Sequence, residues 1–532
     1  MSDLASKDRW ATRFGLIMAM SGNAVGLGNF LRFPGKAAPY GGAFMVPYFI
    51  SLLLLGIPLM WIEWTIGRHG GGYGHGSTPG MFHRMWKHPV SKYLGIFGVL
   101  LPAMIGIYYI YIESWSLGYA FQTVAGTYWG ETTREAMGGV FQKYLGLGGS
   151  ISFGKSSYLF FLITVAANII VFARGIEKGI EFVAKYAMPT LMILGVILAV
   201  RVLTLPPVEG RTAGDGLARI WVIDWSTLRS PGVWIDAAGQ VFFTLSLGFG
   251  MVHTYASVLR KDEDVTLNGL ATVSTNEFVE VILGSTIAVP AALIFFGPAE
   301  TDAIVKGGTF DIAFYSLPVI FQQLPAGQIF GTLWFVLLFL AGLTSSVAMF
   351  TPVLLFLQDE LAMNRKKAVI AITVAVLVLM QPVVLFMNQG VMDELDYWAG
   401  TIFLVLFATI EAVVFSWIFG MEKGWEEMHL GADLRVPRVF YFIMQVITPV
   451  FALFLLAWYM AIDPLRAFLY APDSLPGTFW GKLTMMGVDA ANVPYLWLGR
   501  GIMLASWCFL AWGVHYAWRT HPKFFEEVND EA

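Results

Sequence analysis

The sequence predicts an all-α polytopic membrane protein. Hydrophobic residues make up 57% of the 532 residues and charged residues only 13%, whereas a soluble domain carries about 25% charged residues. The apolar residues fall in long runs, and a helix needs about 20 of them to cross a bilayer. Two of these runs are interrupted by clustered glycines. Together these observations predict twelve transmembrane helices, of which the first and the sixth are broken.

The apolar runs define twelve segments, which we number along the chain. They cover residues 11–36, 41–68, 93–124, 158–174, 180–203, 232–258, 266–298, 328–357, 367–387, 391–418, 439–462 and 498–518. The first run contains Asn23, Asn29 and Arg32 and lacks a cleavage site of small residues, so we expect it to be a retained span rather than a signal peptide. The predicted units are residues 1–203 with segments one to five, the external loop 204–231, residues 232–418 with segments six to ten, and residues 419–532 with the last two segments and a cytoplasmic C-terminus.

Charge in the short loops predicts the orientation. Arg260-Lys261 and Arg365-Lys366-Lys367 lie in short loops on one predicted side, and an excess of Lys and Arg in short loops marks the cytoplasmic side. With an even number of segments, both termini are predicted to be cytoplasmic. The chain has no Asn-X-Ser/Thr sequon, which favours the cell membrane of a prokaryote.

Other functional classes find no support in the sequence. No basic tract suggests nucleic acid as a partner, and the single cysteine, Cys508, excludes a disulfide framework. The loop 69–92 contains four histidines at uneven spacing without a cysteine or carboxylate, so we predict a mobile cytoplasmic loop rather than a metal site. We find no nucleophile–base pair and no phosphate loop, and an enzyme is therefore not expected.

The interrupted segments carry the strongest functional signal. Segment one contains GNAVGLGN and segment six contains TLSLGFG, and glycine costs about 1 kcal/mol against alanine inside a helix. Glycine clusters also permit close helix packing, and for one segment alone the two interpretations are equally good. Polar residues flank both clusters, however, and the two segments lie five apart, so that an odd repeat length inverts the second set. Glycine-interrupted helices at matching positions indicate a transport site, in which unwound backbone faces a cation and a carboxylate.

Motifs along most of the chain resemble the neurotransmitter:sodium symporter family, and within it the bacterial leucine transporter branch. They are GNAVGLGNFLRFP, GGAFMVPYF, GIPLMWIEWTIGR, IGIYYIYIESWSLGYA, GQVFFTLSLGFG, TNEFVEVILG, FLAGLTSSVAMFTP and DELDYWAGT. The resemblance implies a five-plus-five inverted repeat followed by two C-terminal helices. It also implies two Na⁺ ions and no organic cofactor, with an amino acid as substrate and the lipid bilayer as surroundings, and it leaves the oligomeric state open.

The resemblance implies two sodium sites made of neutral oxygens. The first would use Ala24, Asn29, Thr244 and Asn276, together with the substrate carboxylate. The second would use Gly22, Val25, Ala341, Thr344 and Ser345. Neutral hard oxygens suit an alkali cation that must also be released.

The implied substrate pocket consists of residues around the two breaks. The residues are Ala24, Gly26, Leu27, Gly28, Ile105, Tyr109, Phe243, Thr244, Ser246, Phe249, Ser345 and Met349. Amine transporters of the family carry an aspartate where this chain has Gly26, so glycine favours an α-amino acid. The other side chains favour a small apolar one, and flexible Met349 leaves aliphatic and aromatic substrates open.

The resemblance also implies an outer gate, an inner gate and transport that does not depend on chloride. Arg32 and Asp396 are expected to close an outer gate, with Phe249 as the aromatic lid beneath it, and Lys7, Trp10 and Asp359 to form the inner gate. Glu280 stands where chloride-dependent members carry serine, and its fixed charge would replace the anion. The expected function is chloride-independent, sodium-coupled import by alternating access, and the alternative is a sodium-dependent sensor or channel on the same scaffold.

Overall fold

The computed structural model describes residues 10–146 and 156–520. These residues are almost entirely helical, and in this part of the chain the one β feature is an isolated bridge between Val208 and Arg211. Lys7 of the predicted inner gate lies outside the described residues.

Within residues 10–146 and 156–520, nine helices are long and apolar enough to cross a membrane, and a bent pair of shorter helices adds a tenth span. The bent pair is α1 (Arg13–Ala24) and α2 (Leu27–Ala37). The next spans are α3 (Gly41–Gly72), α4 (Ser91–Ala125) and α5 (Ser157–Leu203). Two shorter helices follow, α6 (Pro231–Thr244) and α7 (Met251–Ala256). The remaining spans are α8 (Val265–Val305), α9 (Gly327–Asp359), α10 (Arg365–Leu385), α11 (Val391–Met428), α12 (Val439–Leu469) and α13 (Val493–Thr520). Shorter helices outside the spans are Thr78–Met85, Arg134–Leu145, Ala213–Trp221, Leu317–Gln322 and Phe479–Leu483.

The predicted segments four and five form one helical element in the structure, α5. At about 1.5 Å per residue, a straight helix of its 47 residues would be more than twice the thickness of a hydrocarbon core of about 30 Å. Gly175 has φ 93°, which glycine tolerates and other residues do not. The chain therefore turns at Gly175, and no loop separates the two predicted segments.

Segment six is broken as its glycines predict. α6 has 14 residues and α7 has six, and residues 245–250 between them are not helical. Gly250 has φ 76°, and a Cβ there would lie 2.1 Å from the carbonyl oxygen of Gly98 on α4. Both the backbone angle and the close approach require glycine at this position.

Segment one is broken at Val25 and Gly26, where the backbone is extended and the chain bends by 45°. The Asn29 side chain accepts a hydrogen bond from the Gly26 N–H at 2.8 Å and so satisfies a backbone donor at the start of α2. The two breaks lie beside α4 and α9, which pack along each other and are mostly buried. The core of the protein therefore surrounds the unwound backbone.

The loop 69–92 is folded, and the prediction of a mobile loop is wrong. It contains the helix Thr78–Met85, with Thr78 to Phe82 buried, and His75 is only 2% exposed. A Cβ at Gly80 would lie 2.3 Å from His75 Nδ1. At Gly80, glycine serves close packing rather than flexibility.

Candidate site between the two broken helices

A cavity of about 30 Å³ lies where the two breaks meet. All of the predicted substrate residues except Leu27 line it: Ala24, Gly26, Gly28, Ile105, Tyr109, Phe243, Thr244, Ser246, Phe249, Ser345 and Met349. Leu27 lines a larger cavity of about 560 Å³ on the side of the predicted outer gate. Asn23 and Met251 also line the small cavity and were not predicted. The cavity combines unwound backbone with apolar walls.

The start of α2 faces this cavity with little spare room. The Leu27 N–H donates a hydrogen bond to Tyr109 Oη at 3.1 Å. A Cβ at Gly26 would lie 2.8 Å from Tyr109 Oη and 2.9 Å from Ser345 Oγ. Backbone N–H groups at a helix N-terminus attract anions, and the tyrosine hydroxyl is placed beside them. This end of the cavity suits a carboxylate.

The predicted first cation site is a connected polar cluster. Asn29 Nδ2 donates to Asn276 Oδ1 at 2.8 Å and to Thr244 Oγ1 at 3.2 Å. Asn276 Nδ2 also donates to Thr244 Oγ1, at 3.1 Å. All three side chains are buried, and Ala24 lines the same cavity. These four residues thus lie together around the breaks, next to the space for the substrate.

Glu280 borders this cluster. Its carboxylate accepts hydrogen bonds from Asn29 Nδ2 at 3.0 Å, from Tyr48 Oη at 3.0 Å and from Gln240 Nε2 at 3.1 Å, as well as from the Thr244 hydroxyl. The exposed fraction of Glu280 is zero. Tyr48 and Gln240 were not predicted, because no spacing in the sequence links α3 and α6 to a carboxylate on α8.

The predicted second cation site joins α9 to the break in segment one. Ser345 Oγ donates to the carbonyl oxygens of Gly22 at 3.2 Å and Val25 at 3.3 Å. Thr344 Oγ1 donates to the carbonyl oxygen of Ala341 at 3.2 Å. A Cβ at Gly22 would lie 3.0 Å from Thr344 Cβ. All five predicted residues therefore converge, with oxygens as the polar groups.

The predicted outer gate residues line the larger, outer cavity. Arg32 Nη1 donates to Gln240 Oε1 at 3.1 Å, and Asp396 Oδ1 accepts from Tyr108 Oη at 2.5 Å. Within the described part of the chain, no ion pair within 4.0 Å joins Arg32 to Asp396. The two residues are thus engaged by different neighbours, and the outer cavity lies between them.

The aromatic ring beneath Arg32 belongs to Phe243, and the prediction of Phe249 as the lid is wrong. The Arg32 guanidinium lies 4.0 Å from the centroid of the Phe243 ring, and Phe243 lines both cavities. Phe249 lines only the inner one. The difference arises because Phe243 is in the last turn of α6, before the break, whereas Phe249 lies within the break.

On the inner side, two of the three predicted gate residues are described. Trp10 Nε1 donates to the carbonyl oxygen of Tyr255 on α7 at 3.1 Å, with its ring edge-on to the Tyr255 ring. Asp359, the last residue of α9, accepts from the Gly76 N–H at 2.6 Å. Both residues therefore tie distant parts of the chain to each other.

Glu63 satisfies unwound backbone in segment six. Its Oε1 accepts from the Gly248 N–H at 2.7 Å, and Gly248 has φ 73°. The buried N–H would otherwise lack a partner, which is costly in an apolar interior.

Known proteins match this chain over most of its length. The sequence model of the family described as "Sodium:neurotransmitter symporter family" matches residues 7–139 and 132–472. An uncharacterized sodium-dependent transporter of Haemophilus influenzae is 31% identical over 421 residues, 76% of this chain and 87% of that protein. One of Methanocaldococcus jannaschii is 29% identical over 451 residues, 84% of this chain and 88% of that protein. The crystal structure of MhsT in complex with L-phenylalanine aligns with a TM-score of 0.73 and 29% identity, over 85% of this chain and 99% of that chain. The matched ranges contain every predicted site residue.

Proposed function

Because the chain belongs to the sodium:neurotransmitter symporter family, we propose that it is a sodium-coupled symporter that imports a small apolar α-amino acid. Import proceeds by alternating access and does not require chloride. The observation that carries the proposal is the convergence of the two breaks, α4 and α9 on one cavity bordered by two oxygen clusters. Unwound backbone in a membrane protein survives where it is buried or lines a cavity, and here it does both.

The cavity's chemistry supports an α-amino acid. The N–H groups at the start of α2 and the Tyr109 hydroxyl bind the carboxylate, and the carbonyl oxygens of Phe243, Thr244 and Ser246 with that of Ala24 bind the ammonium. Ile105, Phe249 and Met349 surround the side chain. The small cavity and its apolar walls favour a small apolar substrate, and the bound phenylalanine of MhsT shows the class of ligand in a related protein.

Two sodium ions accompany the substrate in this proposal. The first lies among Ala24, Asn29, Thr244 and Asn276, where the substrate carboxylate completes its shell and so couples binding of ion and substrate. The second lies among Gly22, Val25, Ala341, Thr344 and Ser345. Both sites offer neutral hard oxygens, which hold an alkali cation without trapping it.

For the membrane topology we propose twelve crossings. α5 counts as two because it turns at Gly175, and α6 with α7 forms one broken crossing. Segments one to five and six to ten are then two inverted repeats, followed by α12 and α13, with both termini cytoplasmic. The breaks occupy the same position in each repeat, which is the arrangement expected when a site forms at a repeat interface.

Uptake into proteoliposomes tests the transport function. With an inward sodium gradient, we expect the protein to accumulate radiolabelled L-phenylalanine or L-leucine against its gradient, and replacing Na⁺ by K⁺ or choline abolishes accumulation. Ser345→Ala removes an oxygen of the second cation site and should abolish uptake. The matched control Thr332→Ala lies on the same helix, where the Thr332 hydroxyl donates to the Gln328 carbonyl of that helix, and should leave uptake intact.

The same assay separates the proposal from its alternatives. Sodium-dependent binding of these amino acids without accumulation indicates a sensor, and sodium currents uncoupled from substrate indicate a channel. Failure of all twenty amino acids to bind in sodium contradicts the proposed substrate class.

Chloride independence follows from the fixed charge of Glu280 beside the first cation site. We expect wild-type uptake to be unchanged when gluconate replaces chloride, and Glu280→Ser to make uptake depend on chloride. A chloride requirement in the wild type contradicts this part of the proposal, and so does a Glu280→Ser variant that transports equally well in gluconate.

A further inference from the structure

Three fully buried titratable side chains from three helices meet near the break in segment six. Glu63 on α3, His253 on α7 and Glu411 on α11 each have an exposed fraction of zero. His253 Nδ1 lies 3.4 Å from Glu63 Oε2, and His253 Nε2 lies 3.4 Å from Glu411 Oε1. We call these three residues the Glu–His–Glu cluster. The transport site described above does not use it.

The atoms that face each other within the cluster have no other partners. In residues 10–146 and 156–520, Glu63 Oε2, both ring nitrogens of His253 and both carboxylate oxygens of Glu411 lack a hydrogen bond. A neutral imidazole with two ionised carboxylates would place two negative charges together in a dry interior. Such unbalanced burial is strongly unfavourable. The cluster therefore needs at least one cation to balance its charge.

No other described charged side chain supplies that balance. The helices packed against α7 include α1, α3 and α9, and Phe407 brings α11 against the His253 ring.

On α1 the charged residue is Arg13, which pairs with Asp264 and Asp433. On α3, besides Glu63, Arg68 and His69 face Glu427. On α9, Asp359 accepts from Gly76, and on α4 the backbone of Gly98 approaches Gly250, directly before α7. Within the cluster's own surroundings, the facing groups are the two glutamates.

The proton is the cation that fits this geometry. The three residues can each bring one ligand atom within 4.8 Å of the others, but three ligands leave a closed metal site one short of the four that such a site takes, whereas a proton needs only one donor and one acceptor. With one proton bound, the neutral ring donates its N–H to one carboxylate and accepts from the O–H of the other carboxyl group, which is protonated. The first proton raises the net charge of the cluster from −2 to −1, and a second makes it neutral.

We propose that the Glu–His–Glu cluster is a proton-binding site whose occupancy is coupled to the position of α7. α7 directly follows the break. Glu63 links the cluster to the break because its other oxygen, Oε1, accepts from the Gly248 N–H at 2.7 Å. Movement of α7 away from α3 and α11 separates His253 from its carboxylates and releases the proton to water. The coupling rests on the proposed function, in which the broken helices move. The proton site itself is independent of that proposal.

Infrared difference spectroscopy tests the site on the purified full-length protein in detergent. On acidification from about pH 8 to about pH 5, we expect a carboxylic-acid band to grow in the wild type, and Glu411→Gln and His253→Gln each to remove or shift it. Glu113→Gln is the matched control, because Glu113 is a fully buried span carboxylate on α4 with no ion pair to the cluster, and it should leave the cluster's band in place. A band that is unchanged in both cluster variants overturns the proton site. Two variants at different positions guard against the loss of one through misfolding, which size-exclusion chromatography reveals.

Proton release on sodium binding tests the coupling. In weakly buffered micelles with a pH indicator, adding sodium should release up to about one proton per wild-type chain, and His253→Gln should lose this release while Glu113→Gln keeps it. Binding of radioactive sodium is measured on the same samples. Sodium binding without proton release in the wild type, or full release in His253→Gln, overturns the coupling. If no sodium binds, the proposed function fails, and the infrared result still decides the proton site.

Discussion

Gly26 shows how one missing side chain determines the chemistry of a site. It lies between Tyr109 and Ser345, and its Cβ position is 2.8 Å and 2.9 Å from their hydroxyl oxygens. These hydroxyls serve different ends, because Tyr109 accepts from the start of α2 and Ser345 donates to carbonyls of the first break. A side chain at residue 26 would therefore disturb the carboxylate end and the second cation site together.

Gly26→Ala should weaken substrate binding by about tenfold or more, since displacing either hydroxyl costs on the order of 1.4 kcal/mol or more. The backbone of Gly26 is extended, so alanine is not excluded by its φ angle and the protein should fold. The measurement is sodium-dependent binding of radiolabelled L-leucine by scintillation proximity. Gly139→Ala is the control, because nothing lies within 4 Å of its Cβ position. Equal affinity in Gly26→Ala and wild type contradicts the close fit.

At the scale of elements, the two breaks were predictable and their partners were not. Clustered glycines with polar neighbours are a local signal, and the structure breaks the helices at those residues. The donors and acceptors that satisfy the breaks come from distant segments, such as Glu63 for Gly248, and no local pattern specifies them. Phe243 precedes the break and Phe249 lies within it, so aromatic character alone does not identify the lid. The close packing around His75 depends on tertiary contacts in the same way.

The start of α8 carries a cap whose effect on stability should depend on pH. Although burial raises the pKa of the Asp264 carboxyl, hydrogen bonds from the backbone N–H groups of Leu267 and Asp433 and from the Thr266 hydroxyl outweigh it and lower the pKa below its usual value. A folded-state pKa below the unfolded value stabilises the protein above about pH 4. That stabilisation is lost as the pH falls through the folded-state pKa.

Asp264→Ala should therefore lower the free energy of unfolding by about 1 kcal/mol at neutral pH, with a smaller loss in Asp264→Asn, which keeps one acceptor. The difference between wild type and Asp264→Ala should shrink on acidification below about pH 4. Apparent melting temperatures in detergent measure both effects. Asp473→Asn, at an exposed position outside the spans, controls for the loss of a charge. A difference that stays constant down to low pH contradicts the assignment of the cap to the ionised carboxylate.

At the scale of the whole molecule, the two cavities are stacked and separated by Phe243. The outer one is about 560 Å³ and the inner one about 30 Å³, and Gly28, Tyr109 and Phe243 line both. Arg32 and Asp396 line the outer cavity without an ion pair between them. The larger cavity therefore adjoins the proposed substrate position on the side of Arg32 and Asp396. Closing the outer cavity needs a movement that brings these walls together.

Thiol labelling should detect that closure. Cys508, the single cysteine, is exposed, so Cys508→Ser provides a background for Ile112→Cys, which places a thiol in the outer cavity. A membrane-impermeant thiol reagent should modify this cysteine readily in sodium alone and about tenfold more slowly once L-leucine is added, because occupancy of the inner cavity favours the closed arrangement. Glu135→Cys, exposed on the helix Arg134–Leu145, should react at the same rate in both conditions. If L-leucine binds but Ile112→Cys reacts equally fast with and without it, substrate binding does not close the outer cavity, and the alternating-access mechanism proposed for this chain is wrong.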